Sequence, residues 1–518
     1  GFDEFAYRLQ VLAKPSDTFS ALFKLHGFQQ DGDTPQPFYA NALQVGQEGV
    51  RSGFNQDTLT HDSEMDGEID HIGAGATLTF DLGDFTLVSI TGYDTLESFS
   101  RADVDGGVIG GPAQIGELGF NAFFGSSTGD GLSDHSQLNQ ELRLSTTQGD
   151  WFYQVGLFYF SEDLTVDSVD FDPASGARTA LTQAVQETTS TALFGQAEYS
   201  INDALTVTAG LRYTDDDKDL AVIPGPGSSA PADSIARGDD YINWDLALTY
   251  KLNDDWSLFG RAGNASRGPV TLGRFGFTSA ADTETLTSFE VGLKSDLWDG
   301  RARWNATLYR YEIDDQQLTA TGGEANTNSL LNADKTIGQG FETDLEILLS
   351  ENFRVSTNLS YNDSEIQDSD LRDDLCGSTP ACTGLDPVVG GRIGNFGPVT
   401  EVSIDGNPLP RAPEWLYNIN LWYGVDIEAG QLYASTDWNY RSESNIFYHE
   451  SIEFVADARW IGGARIGYKN NARNLDVALV GRNITDEVAV DGALNFLNLT
   501  AFVNEPRYWG VEVRYDFD

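Results

Sequence analysis

The feature that most limits what this 518-residue chain can become is a strict alternation of short and long connections. Tight polar turns stand at KPSD (14–17), DLGD (81–84), QGD (148–150), IND (201–203), LNDD (252–255), WDG (298–300), LSEN (349–352), EAG (428–430) and KNNAR (469–473). Between them lie long polar stretches rich in Gly or Asp, at 31–66, 98–133, 163–184, 215–238, 266–283, 314–332, 363–410, 442–453 and 484–502. The segments so bounded alternate large apolar with polar residues, the period of a strand with two unlike faces. In the closing RYWGVEVRYDFD (507–518), Trp509, Val511, Val513, Tyr515 and Phe517 share one side, and Gly510, Glu512, Arg514 and Asp516 share the other. About 19 such segments can be read along the chain.

A soluble sandwich has no reason to sort its connections by length, and the recurring motif of a propeller is missing. A barrel crossing a bilayer does sort them, with short turns at the periplasmic end and long loops outside. Lipid also demands closure, because an unpaired backbone group within hydrocarbon has no partner. The sequence therefore reads as all-β: a transmembrane antiparallel β-barrel of the Gram-negative outer membrane, surrounded by outer-membrane lipid. No stretch approaches the ~20 consecutive apolar residues of a spanning helix. A mean hydropathy of -0.31 is no obstacle, since barrel strands need only about 9–11 residues with alternate positions apolar. Phe 30, Tyr 20, Trp 10 and Gly 54 suit pleated surfaces and tight bends. Aromatic strand ends in WFYQVGLFYF (151–160), PEWLYNINLWY (413–423) and at Trp509, Tyr515 and Phe517 are expected at the membrane interfaces. Residue 1 is a Gly followed by no basic or apolar leader, so any signal peptide is expected to have been removed.

Charge excludes one class of partner. Lys+Arg number 31 against Asp+Glu 80, a formal charge of -49, and nucleic acid would be repelled. Solubility, including adaptation to salt, and a field that draws cations both account for the excess. No enzyme is expected: GxSxG, HExxH and P-loop motifs are missing, and His26, His61, His71, His135 and His449 read as surface or lumen residues.

Two local patterns suggest sites. Cys376 and Cys382 bracket CGSTPAC in the longest loop, on the oxidising side, where a disulfide is expected; free thiols or a metal clip are the alternatives. DSEMDGEID (62–70) places Asp62, Glu64 and Asp66 at alternate positions before a glycine, an echo of a calcium loop. Gly73 stands where the bidentate Glu belongs, which rules out an EF-hand and leaves either a structural calcium or a solvated acidic loop. TDDDKD (214–219) and DSDLRDD (368–374) are equally acidic. Beyond such calcium no cofactor is implied. FNAFFGSS (120–127) and NIFYHES (445–451) set aromatics among polar and acidic loop residues, either to meet a ligand or to pack the loops.

Several stretches resemble TonB-dependent outer-membrane receptors: SFEVGLKSDLWDGRARWNATLYRYEIDDQQ (288–317), LPRAPEWLYNINLWY (409–423), VALVGRNITDE (477–487) and PRYWGVEVRYDF (506–517). FDEFAYRLQVLAKPSDTFSALFKLHG (2–27) is similar to an interior hairpin of the same barrels, and the order is kept end to end. The resemblance implies a 22-stranded barrel around an N-terminal plug. It implies active uptake of a scarce solute, a metal chelate such as a siderophore complex, cobalamin, a glycan or another nutrient. Energy would come from a TonB-type complex acting on the plug. The solute would be caught by the outer loops and the plug's outer face. The acidic loops lean against a strongly anionic ligand. Nothing here resembles the plug or its coupling box, and about 19 strands fall about three short of 22. An odd count also places the two ends of the sheet on opposite sides of the membrane. The expectation is that a plug and about three N-terminal strands are absent from this sequence; an odd-stranded barrel is the alternative. A passive porin or a surface adhesin are the competing functions. The family's terminal aromatic insertion signal is here Phe517 followed by Asp518.

Overall fold

The structure, a computed structural model, describes residues 2–516 except 33–37, 41, 62, 104–126, 173–174, 275–276, 323–326, 377–381, 395–396, 471, 473 and 495–498. Nineteen strands form one antiparallel sheet. They are β1 (Phe2–Ser16), β2 (Phe19–Gly32), β3 (Asp66–Asp81), β4 (Thr86–Asp103), β5 (Ser127–Gln148), β6 (Trp151–Phe171), β7 (Arg178–Asn202), β8 (Leu205–Pro224), β9 (Asp233–Lys251) and β10 (Trp256–Arg267). There follow β11 (Glu284–Leu297), β12 (Ala302–Gly322), β13 (Thr327–Ser350), β14 (Phe353–Ile366), β15 (Trp415–Ile427), β16 (Gly430–Arg441), β17 (Arg459–Asn470), β18 (Leu475–Arg482) and β19 (Tyr508–Tyr515). Each pairs with its neighbours in chain order, so every short turn falls at one end of the sheet and every long connection at the other.

The apolar face of this sheet points outward. On β6, Trp151, Tyr153, Val155, Leu157 and Tyr159 are exposed, while the intervening positions are more enclosed. On β19, Val511 and Val513 are 72% and 63% exposed, with Trp509 and Tyr515 beside them. Aqueous folding would not leave such stripes open; a lipid solvent requires them. Phe517 lies outside the described residues. The opposite face is polar: Arg465 makes a bidentate contact with Glu512 at 2.7 and 2.8 Å and donates to the Tyr433 hydroxyl, which donates to Asp476 at 2.8 Å.

Strand lengths differ from the sequence reading. β6, β7 and β13 run 21, 25 and 24 residues, well past the about 9–11 needed to span. The stretches 163–184, 215–238 and 314–332, expected as loops, are largely ladder: Asp163 pairs with Glu187, Asp216 with Asp239, and Gln317 with Asn332. Beyond the bilayer neither face needs apolar residues, so the strands continue with Thr, Asp and Gln, and the apolar alternation that marks a strand fades while the hydrogen bonds persist.

Among the described residues, β1 and β19 are each paired on one edge only. The loops near those edges, between β2 and β3 and between β18 and β19, nevertheless meet. Tyr39 and Ala501 exchange both backbone hydrogen bonds at 3.1 Å, Leu43 N–H donates to the Leu499 carbonyl at 3.3 Å, and the Phe38 and Phe502 rings lie 4.8 Å apart. The sheet thus curls far enough for loops from its opposite ends to join, the curvature expected of a tilted, twisted barrel wall.

Candidate functional site

At the loop end, residues from 38–65, 367–414, 442–458 and 483–507 fold into one packed crown with its own core. Phe454, Leu43, Ile446, Val490, Leu499 and Ala501 are buried there, so the crown is a small domain rather than four independent loops. The aromatics of 445–451 serve this packing: Phe447 meets Phe454 edge-on at 4.9 Å and stacks with His449 at 5.5 Å. FNAFFGSS lies outside the described residues except Ser127.

Buried side chains tie the loops to one another at specific points. Glu453 is fully buried; one carboxylate oxygen accepts the Thr383 N–H at 2.7 Å and the other accepts the Gly46 N–H, joining three loops through one side chain. His449, read from sequence as a surface or lumen residue, is 1% exposed, with Nδ1 2.8 Å from Asp373. Phe447 and Phe454 pack against its ring, Asp373 partners Nδ1, and Nε2 is buried with no hydrogen-bond partner among the described residues. Cys376 and Cys382 form a disulfide with Cα atoms 5.7 Å apart, and both pack against the crown core.

The acidic stretches find individual partners. Asp62 lies outside the described residues, Glu64 accepts from Arg101 at 3.0 Å, and Asp66 accepts the Gly67 N–H that begins β3. Asp368 accepts the N–H groups of Asp334, Asp370 and Leu371, and Asp374 accepts from Arg392 at 2.6 Å. TDDDKD is part of β8, where Tyr241 donates to Asp216 at 2.5 Å.

Burial pushes the carboxyls of Asp374, Asp386 and Asp457 above the usual range, against the opposing pull of Arg392 on the first, of the Glu450 N–H and Asn407 on the second, and of the Val490 N–H on the third. A carboxyl whose value is higher folded than unfolded retains its proton in the crown after the unfolded chain has lost it, so folding stability falls as pH rises through that interval. The crown is therefore expected to be best protected in mildly acid solution and to loosen as pH climbs from about 4 through the raised values. Amide exchange of residues 444–456, corrected for intrinsic rates, should accelerate over this window, and protection that rises with pH would contradict it.

The acidic excess is also uneven. Beneath the crown, Arg441 and Arg459 converge on Asp491, at 3.7 Å for Arg441, with Arg411 close enough to repel Arg441. Arg441 Nε and Arg459 Nη1 are buried with no acceptor among the described residues. Three guanidiniums stand against two carboxylates, Asp491 and Asp457, at the head of the polar wall, a small positive excess able to meet an oxyanion. Sequence reasoning missed it, because nothing local marks these arginines: Arg441 and Arg459 are cross-strand partners, and Arg411 reaches them from a loop.

The family model for the β-barrel of TonB-dependent receptor-like proteins matches residues 9–484. Among solved structures, the ferric yersiniabactin uptake receptor FyuA of Yersinia pestis superposes with a TM-score of 0.75 at 13% identity, over 100% of this chain and 71% of that one. The siderophore receptor PiuA of Acinetobacter baumannii gives 0.72 at 15%, over 99% and 74%, and the copper transporter OprC gives 0.69 at 14%, over 100% and 72%. At these identities the structural likeness speaks for the fold. The outward apolar stripes, the one-sided turns, the polar wall and the matched model together place this chain in the TonB-dependent receptor β-barrel family of the outer membrane.

Proposed function

We propose that the chain is the membrane-spanning part of an energy-coupled uptake receptor. A scarce solute is caught by the crown, whose base carries the arginine cluster, and released inward when a TonB-type complex acts on a plug. The observation that carries this reading is the crown itself: a passive pore gains nothing from loops that share a core, whereas a receptor needs a preorganised surface to hold a dilute ligand. Further strands between β1 and β19, each paired on one edge only among the described residues, would complete the wall. The solute is a metal chelate, cobalamin, a glycan or another nutrient. The Arg411, Arg441 and Arg459 cluster favours one bearing an anionic oxygen group on an otherwise weakly charged body.

Cells carrying the full protein should accumulate one of a panel of labelled ferric siderophore chelates, cobalamin or oligosaccharides above cells lacking it, and a protonophore should abolish the difference. Accumulation that survives the protonophore would overturn energy coupling and favour a passive channel. No accumulation of any panel member, with binding to whole cells retained, would favour an adhesin.

A further inference from the structure

Three groups from adjacent strands meet on the polar wall, far from the crown. His26 on β2 pairs in register with Gly73 on β3, which pairs with Asp94 on β4, and His71 stands two residues along β3 on the same face. His26 Nε2 lies 3.3 Å and His71 Nε2 3.2 Å from the same oxygen, Asp94 Oδ1, and the imidazole centroids are 5.2 Å apart. Ile72 and Tyr93, the alternate neighbours, are exposed on the lipid side, which fixes the three polar groups on the lumen side.

We propose that His26, His71 and Asp94 form a binding site for a divalent transition cation of the zinc class, held on the inner wall of the barrel. Two imidazoles and one carboxylate are the donor set preferred by borderline ions such as Zn²⁺, Ni²⁺ or Cu²⁺, and a poor one for calcium, which takes oxygen. Ligand bonds of about 2.0–2.2 Å place neighbouring donors roughly 3.0–3.5 Å apart in tetrahedral or octahedral geometry. The two nitrogen-to-oxygen separations fall in that interval. Read instead as hydrogen bonds to one shared oxygen, they are long for charge-assisted pairs, which run about 2.7–2.9 Å.

Gly73 makes the convergence possible. A Cβ there would collide with the Asp94 carboxylate and come within 2.6 Å of the His26 ring. His26, His71 and Asp94 retain 36%, 28% and 26% of their side-chain exposure, so an ion in the lumen can reach them without unfolding the wall. The inference does not depend on which solute the receptor takes up, because the wall is separate from the crown and the arginine cluster.

The test is titration of the detergent-solubilised protein with zinc chloride in a non-chelating buffer, followed by calorimetry. One Zn²⁺ should bind per chain. His71→Gln and Asp94→Asn should each weaken it by about tenfold or more, and His135→Gln, on the neighbouring strand but held by Glu162 rather than Asp94, should leave it unchanged. Gly73→Ala keeps every donor yet should weaken binding to a similar extent, and circular dichroism of each variant checks that the sheet is intact. Should the variants fail to fold, Co²⁺ added to the unmodified protein should give visible absorption bands of nitrogen-ligated cobalt that Zn²⁺ abolishes. Sub-stoichiometric zinc uptake, binding undiminished in folded His71→Gln and Gly73→Ala, or cobalt spectra of the hydrated ion would overturn the proposal.

Discussion

Leu246→Arg should cost the barrel about 2–4 kcal/mol, the cost of a cation near the middle of a bilayer on a barrel's outer face. Leu246 lies on β9 between Trp244 and Tyr250, and lines a shallow outward groove with Leu248, Ala262, Phe289, Val291 and Leu308. Its neighbour in the wall, Thr249, has the opposite parity and faces the lumen, so Thr249→Arg should cost less than about 1 kcal/mol. Urea unfolding in lipid vesicles reads both. Equal losses would mean that the exposed stripe is not the lipid face, and the membrane assignment of the sheet would fail with it.

Glu453→Ala is expected to open the crown without touching the wall. The substitution removes the carboxylate that accepts from the Gly46 and Thr383 N–H groups, each such bond to a charged acceptor being worth about 1.5–3 kcal/mol. Phe454→Ala should be comparable, at about 3–5 kcal/mol for a fully buried aromatic. In both variants hydrogen exchange should accelerate in 38–65, 442–458 and 483–507 while amides of β6 to β9 keep their protection. If exchange stays slow in the loops, each is held by its own strands and the shared core is incidental. The uptake assay then reports whether the crown matters to transport.

Much of this architecture could be read from residue order, because a bilayer imposes a strict rule on what each strand may show it. The alternation at Trp509 to Tyr515 and the sorting of KPSD, DLGD and QGD from the long connections depend only on sequence-local patterns, and the sheet has the expected strands in the expected order. The rule lapses above the lipid. There the ladder of β8 continues through TDDDKD, which looks like a loop because its strand character rests on backbone hydrogen bonds that composition does not record.

The sites were less legible for a different reason. NIFYHESIEFV carries neither a period of two nor one of 3.6, since its residues pack against three other loops, and nothing local marks Glu453 as buried. Likewise His26, His71 and Asp94 are brought together by cross-strand register. A shift of one residue between β2 and β3 would send His26 and Gly73 to opposite faces. The short DLGD turn sets the register of β3 against β4, but β2 and β3 are joined by a long connection whose length fixes no register, so the histidine pair leaves no local mark.

The spacing of the outer aromatics also has a consequence for where the protein can live. On β6 the apolar stripe runs from Trp151 to Tyr159, roughly 27 Å of extended chain at about 3.3 Å per residue. Tilted by about 40°, it covers roughly 20 Å of vertical height. Long as β6 is, the outward positions that continue the stripe are Ser161, Asp163, Thr165 and Asp167, which cannot be drawn into hydrocarbon. The rings therefore act as a gauge of membrane thickness, matched to a thin outer bilayer and badly matched to one of about 30 Å. In a thicker bilayer the lipid must compress around the wall or the polar ladder must be submerged, so hydrophobic mismatch favours a thin membrane for this chain.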